Sequence, residues 1–308
     1  MIPLKLLGQT IAVAFAMFSA LPMPQFGWNE KNMRYALCAF PLIGVVIGAL
    51  WSLCGALPLP DAVHTMGYCL IPVAVTGGIH LDGYADTSDA LSSYGDQEKK
   101  LEILKDPRCG AFAVIRLCSY FAAYLCLSAC IRFTPRVGLC WTLALVLERR
   151  LSGYAVASFP MAKNTGLAHT FATAADRERV KNILRGATVV LTAMLTYWGG
   201  LALAAAAFGV LVHYRFVAEH QFGGITGDLA GWFLQRDELG RGAVNAVCHR
   251  AALQRQAHLC AAVSRPPHRR CASSRGPKRR SDQIGGRSGC RLRYHPRHRG
   301  GRRGRPDG

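Results

Sequence analysis

The chain has 308 residues, a formal net charge of +19 and 51% hydrophobic residues, a combination that fits neither a disordered polyelectrolyte nor an ordinary soluble enzyme. Residues 236–308 hold 19 of the 37 Lys and Arg but only 4 of the 18 Asp and Glu, so the basicity that would suggest nucleic-acid binding belongs to one end of the chain. The twelve cysteines include no CxxC pair and seven of them lie in apolar runs, which supports neither a zinc site nor a disulfide framework.

In chain order, residues 8–25 come first. With Lys5 ahead of them they resemble a signal peptide, but the run ends in LPMP and lacks a small-residue cleavage site, so a retained or interfacial helix is expected. Residues 36–58 carry no charge and 61–81 carry only Asp61. Residues 110–131 are broken by Arg116, 137–160 by Glu148, Arg149 and Arg150, and 187–214 contain no Asp, Glu, Lys or Arg. About 20 apolar residues cross the hydrocarbon layer as a helix, and a soluble core helix would keep a polar face that 36–58 and 187–214 lack. The expected fold class is therefore all-α, a polytopic integral membrane helical bundle.

GGIHLDGYADTSDAL, residues 77–91, places Asp82, Asp86 and Asp89 at i, i+4 and i+7. On a helix these share one face, where three unpaired carboxylates repel one another unless a hard divalent cation cancels the charge. Gly83 would admit a phosphate or a backbone. The competing structural reading is a helix cap followed by solvated acids, for which DTSD is suitable. KDPRCGAF, residues 105–112, sets Lys105 and Arg108 around Asp106 before a helix-opening Gly110, where cations and amide groups can converge on a phosphate. Cationic side chains snorkelling at a membrane border would look the same.

Further on, Arg149 and Arg150 inside an apolar run need a partner, either a functional one or the neighbouring Glu148. GGITGD, residues 223–228, ends a glycine-rich turn in Asp228. Carboxylates, cations and flexible backbone beside membrane spans suit phosphoryl transfer, which depends mainly on charge neutralisation and alignment. A transporter with an intramembrane acidic site is the alternative, although no internal repeat is evident.

The C-terminal stretch after about 262 has no apolar periodicity and cannot bury enough surface to fold alone. Its Arg-Gly-Pro-His-Cys mixture is what G+C-rich DNA tends to encode out of frame. A frameshift from about Arg236 is therefore expected, in preference to an arginine-rich arm for RNA or anionic lipid. The division that follows is a membrane-embedded transferase domain over 1–235 and a basic, disordered tail over 236–308, with nucleic acid not expected as a partner.

These motifs, together with FSALPMP (18–24) and FPLIGVVIGAL (40–50), resemble the cobalamin synthase family, the adenosylcobinamide-GDP ribazoletransferases of vitamin B12 assembly. The resemblance spans about 8–235. It implies a multi-pass enzyme of the bacterial inner membrane that needs Mg²⁺, joins adenosylcobinamide-GDP to α-ribazole or its 5′-phosphate, and releases GMP. It further implies Asp82, Asp86 and Asp89 as metal ligands, Asp82, Asp86 and Asp228 as the catalytic set, and Lys105 and Arg108 on the diphosphate. Gly83, Gly224, Thr226 and Gly227 would complete the substrate contacts.

Loop 161–186, with Lys163, Arg177, Arg179, Lys181 and Arg185, is expected in the cytoplasm, on the same side as loop 81–109. The run 187–217 is too long for one upright span and too short for two, so a break at Gly199-Gly200 into a re-entrant pair is expected to return Asp228 to that face.

Overall fold

The computed structural model describes residues 4–163 and 165–263, with side chains as far as Cys248. Among these residues the chain is helical apart from one isolated parallel bridge, Met161 to Ile225. Helix α1 (Leu4–Phe18) leads through α2 (Glu30–Met33) and α3 (Ala36–Ala39) into α4 (Pro41–Ala56). The Asn29 side chain caps α2 by accepting from the amides of Lys31 and Asn32. Pro41 opens α4 at a position whose amide would have no helical partner. Next come α5 (Asp61–Thr76), α6 (Ile79–Ser92), α7 (Gln97–Ile103), α8 (Ala111–Ala129) and α9 (Pro135–Ser158). The last four are α10 (Leu167–Ala174), α11 (Arg177–Tyr197), α12 (Leu201–Phe222) and α13 (Gly227–Val263).

Three helices among the described residues are long and apolar enough to cross a bilayer: Ala36–Ala56, Ala111–Ala129 and Leu201–Phe222. A fourth crossing arises if α5 and α6, bent by 94° at their junction, count as one broken span. The apolar run 61–81 thus does not form one rod. Gly77 (φ 65°) and Gly78 (φ 82°) take left-handed conformations that other residues rarely adopt, and they turn the chain before the aspartate motif begins.

Helix α9 is the central element. Positions where a glycine of α4 leaves no room for a Cβ fix its packing: a Cβ on Gly44 would lie 2.6 Å from the Leu145 carbonyl oxygen, and one on Gly48 would lie 2.5 Å from Thr142 Oγ1. The pairs 44 with 145 and 48 with 142 run in opposite senses, so the helices are antiparallel and joined through small residues, as membrane helices commonly are. Trp51 seals this contact, stacking on Trp141 at 5.1 Å and on Tyr68 at 4.1 Å.

Two expectations need correction. The run 187–217 is broken at the expected glycines, with Gly199 at φ 82°, but into two long helices and not a short re-entrant pair. α11 begins at Arg177, and α12 continues through Arg215 and Glu219 to Phe222. α11 takes in 177–186 from the expected loop 161–186, and α12 runs five residues past the apolar run that ends at 217. Arg136 Nε donates to the Trp198 carbonyl at 2.7 Å, and the Ala162 amide donates to the Ile225 carbonyl at 3.0 Å. The segment 198–225 therefore follows α9 from its start to its end.

The change of frame expected at about Arg236 finds no support. α13 passes through that point unbroken and continues to Val263, and the disorder expected of the tail beyond that residue lies outside the described residues. Asp237, Glu238 and Arg241, assigned from sequence to the tail, are buried within the bundle. Arg241 approaches Glu148 at 2.6 Å and Asp237 at 3.1 Å, and its guanidinium lies 5.7 Å from the Trp141 ring centroid. Tyr120 donates to Glu238 at 2.8 Å. Arg149 pairs with Glu148, so the local ion pair is the reading that holds for that arginine, and it lies 4.0 Å from Glu238.

Candidate active site

Helices α6 and α13 are held together by two glycines. A Cβ on Gly83 would lie 2.7 Å from the Asp228 carbonyl oxygen, and one on Gly231 would lie 2.8 Å from the His80 carbonyl oxygen. This antiparallel contact brings the motif GGIHLDGYADTSDAL against the end of GGITGD. Of the two approaches expected at Gly83, a phosphate or a backbone, the backbone is the one seen, and it is that of α13. The GGITGD turn is fixed in its turn. Gly223 ends α12 at φ 72°, Ile225 donates to the Pro160 carbonyl at 2.8 Å, and a Cβ on Gly224 would lie 2.5 Å from the Ala162 amide nitrogen. Thr226 starts α13 by accepting the Leu229 amide at 3.2 Å, and its hydroxyl lies 3.5 Å from Asp228 Oδ2.

A cavity of about 510 Å³ opens at this junction. Asp82, Lys105, Thr226, Gly227 and Asp228 line it, joined by Lys163. The rest of the expected set does not line it, although Asp86 lies near enough to Asp82 and Asp228 for their charges to act on it. Asp86 and Asp89 follow Asp82 along α6 without lining the cavity, and a side chain on Gly110 would collide with the Asp89 carboxylate. That places Asp89 at the amino end of α8, where helix dipoles favour an anion. Arg108 also lies outside the cavity. It is exposed and engages Asp106 through Nε at 2.9 Å and Nη2 at 2.8 Å, and these bonds hold the Asp106 carboxyl down to about 2.

Residues 10–241 match the family model described as cobalamin-5-phosphate synthase. The chain belongs to the cobalamin-5-phosphate synthase family. An adenosylcobinamide-GDP ribazoletransferase of Lachnoclostridium phytofermentans is 38% identical over 258 residues, which cover 80% of this chain and 96% of its own length. Enzymes of the same name from Pseudomonas putida and Clostridium perfringens are 31% and 30% identical, over 74% and 75% of this chain and 94% of each relative. No solved structure matches. As a cobalamin-5-phosphate synthase family member with these apolar helices, the chain is a multi-pass membrane protein.

Within this family member the acidic residues suit a hard cation by donor chemistry, since they offer carboxylate oxygens and nothing softer. Among the described residues Asp82, Asp86 and Asp89 enter no salt bridge, and Lys163 is the basic group whose charge acts on Asp228. However, no three His, Cys, Asp or Glu side chains among them are gathered closely enough to enclose an ion. The helical spacing aligns the aspartates without closing them into a ligand shell.

Lys163 was legible in the sequence only as one charge of a basic loop. It is half-buried, donates to the Leu101 carbonyl at 3.1 Å, and has its pKa lowered by burial and by Lys105, with Asp228 opposing. His80, Phe40, Phe18 and Phe171 also face the cavity and were not expected there. They come from four distant segments and carry no spacing in common, so the sequence does not show that they share one wall.

Proposed function

We propose that the chain is an adenosylcobinamide-GDP ribazoletransferase whose reaction takes place where α6 meets α13. In the reaction, a ribose hydroxyl of α-ribazole other than the 5′-hydroxyl, free in α-ribazole and in its 5′-phosphate alike, forms a bond to the phosphorus on the cobinamide side of the diphosphate. The bond to GMP breaks, and GMP leaves with the electron pair. The hydroxyl proton passes to a carboxylate, for which Asp228 is the candidate because Thr226 and the start of α13 hold it at the cavity.

Lys105 and Lys163 are assigned to the diphosphate oxygens. Asp82 and Asp86 are the residues that would hold Mg²⁺, which leaves Asp228 as the base, and Asp89 is assigned to the amino end of α8. Bound there, the ion would neutralise phosphate charge, which is the main demand of phosphoryl transfer. Arg108 receives no contact with the reacting phosphate in this proposal. The basic residues Lys163, Arg177, Arg179, Lys181 and Arg185 support an opening on the cytoplasmic face of a bacterial inner membrane.

One observation carries this reading: Asp82 of one signature and Asp228 of the other line the same cavity with Lys105 and Lys163. The test uses membranes containing the full chain, supplied with Mg²⁺, adenosylcobinamide-GDP and α-ribazole. Equal amounts of GMP and adenosylcobalamin are expected. GMP release no greater than in membranes lacking the chain overturns the assignment.

A further inference from the structure

One wall of the cavity is aromatic and comes from four separate segments. His80 of α6 meets Phe40 edge-on at 5.9 Å, Phe40 meets Phe18 at 4.6 Å, and Phe18 meets Phe171 of α10 at 5.3 Å. All four residues line the cavity. His80 is 7% exposed and its Nε2 has no protein partner, although a buried imidazole nitrogen ordinarily finds one. The wall therefore combines a stacking surface with a hydrogen-bonding group that the protein does not use.

The reaction presents three bulky parts to this site. A corrin ring with its side chains is too large for 510 Å³, a volume typical of small-molecule pockets. Guanine is small enough, but its edge carries several donors and acceptors that phenylalanines would strand without partners. The dimethylbenzimidazole of α-ribazole is a flat, apolar bicycle with one free polar atom, its imine nitrogen. That is the inventory the wall matches.

We propose that this cavity is the acceptor-nucleoside subsite, in which the benzimidazole lies against Phe18, Phe40 and Phe171 and His80 hydrogen-bonds the free imine nitrogen. His80 is then a specificity-determining residue, and the ribose extends from the aromatic wall toward Asp82 and Asp228. The proposal rests on the ribazoletransferase reading.

The experiment measures KM for each substrate in membranes containing the full chain, as wild type, His80→Phe and His80→Gln. It uses α-ribazole and an analogue whose imine nitrogen is replaced by C–H. One lost hydrogen bond corresponds to about tenfold. His80→Phe is expected to raise KM for α-ribazole by about that factor while KM for adenosylcobinamide-GDP stays within about threefold, and His80→Gln is expected to recover part of the loss. Wild type is expected to discriminate between the two ribosides and His80→Phe is not. A rise confined to the corrinoid KM, or equal discrimination by wild type and His80→Phe, overturns the subsite and leaves the transferase reading standing. Absence of GMP release from wild type overturns both. Should His80→Phe fail to accumulate, wild type decides alone: an unchanged KM for the analogue overturns the proposal.

Discussion

Gly83 and Asp228 touch through their backbones across 145 residues of chain, with room for no Cβ between them: one built on Gly83 would lie 2.7 Å from the Asp228 carbonyl oxygen. The two signature motifs are parts of one junction, and the glycine sets the spacing between Asp82 and Asp228. Gly83→Ala must push α13 away from α6. Overpacking of this kind costs about 1–3 kcal/mol. Activity is expected to fall by at least about tenfold, because small displacements at reacting groups are costly. Gly227→Ala, with nothing within 4 Å of its Cβ, is the control. It should leave thermal stability unchanged, and any loss of activity there would reveal substrate contact at Gly227.

The fold class was legible because uncharged runs longer than a soluble helix needs are hard to misread. The junction of the two motifs was also legible in part, because carboxylates and glycines occurred in both. Two things were not. Helices α11 and α12 extend into polar sequence, since the Asp176 cap at the start of α11 and the left-handed Gly223 at the end of α12, not hydropathy, set those limits. Asp237, Glu238 and Arg241 looked like the start of a basic tail because sequence cannot show that Glu148 and Arg149 lie opposite them. A charge is read as solvated until its partner is seen.

Asp82→Asn should abolish GMP release, by on the order of 10² or more if its charge acts in phosphoryl transfer. Insertion and yield should be unaffected, since Asp82 is exposed and supports no ion pair among the described residues. Chelation of divalent cations should stop the wild-type reaction, and Mg²⁺ should restore it. Near-normal turnover in the variant would remove Asp82 from the catalytic set.

Lys163 predicts an alkaline limit. Burial and Lys105 lower its pKa below the ordinary lysine value, so its positive charge is lost at a lower pH than an exposed lysine would lose it. If that charge holds phosphate, kcat/KM falls as pH rises through the lowered pKa, and Lys163→Arg should move the fall to higher pH. Stability has the opposite sign. A lysine with a depressed folded pKa penalises folding below that pKa, and the penalty is relieved as pH rises through it and on past the unfolded value. Unfolding through this group therefore cannot account for an alkaline loss. Identical pH profiles for wild type and Lys163→Arg would exclude Lys163 from phosphate binding.

Arg241 places the end of the working chain well beyond residue 236. It is fully buried, approaches Glu148 and Asp237, and stands with Arg149 in a cluster that holds three carboxylates and two guanidinium groups. Removing one member leaves others buried without compensation, at a cost of about 3–5 kcal/mol. Arg241→Leu should therefore lower the yield of folded protein in membranes and its melting temperature in detergent. A chain ending at residue 235 should fail in the same way or more severely, because it loses Asp237, Glu238 and Arg241 together and strands Glu148 and Arg149 on α9. A chain ending at Val263 keeps all of these residues and should accumulate and turn over. Equal yields from the two truncations would mean that the cluster contributes nothing to holding α9 against α13.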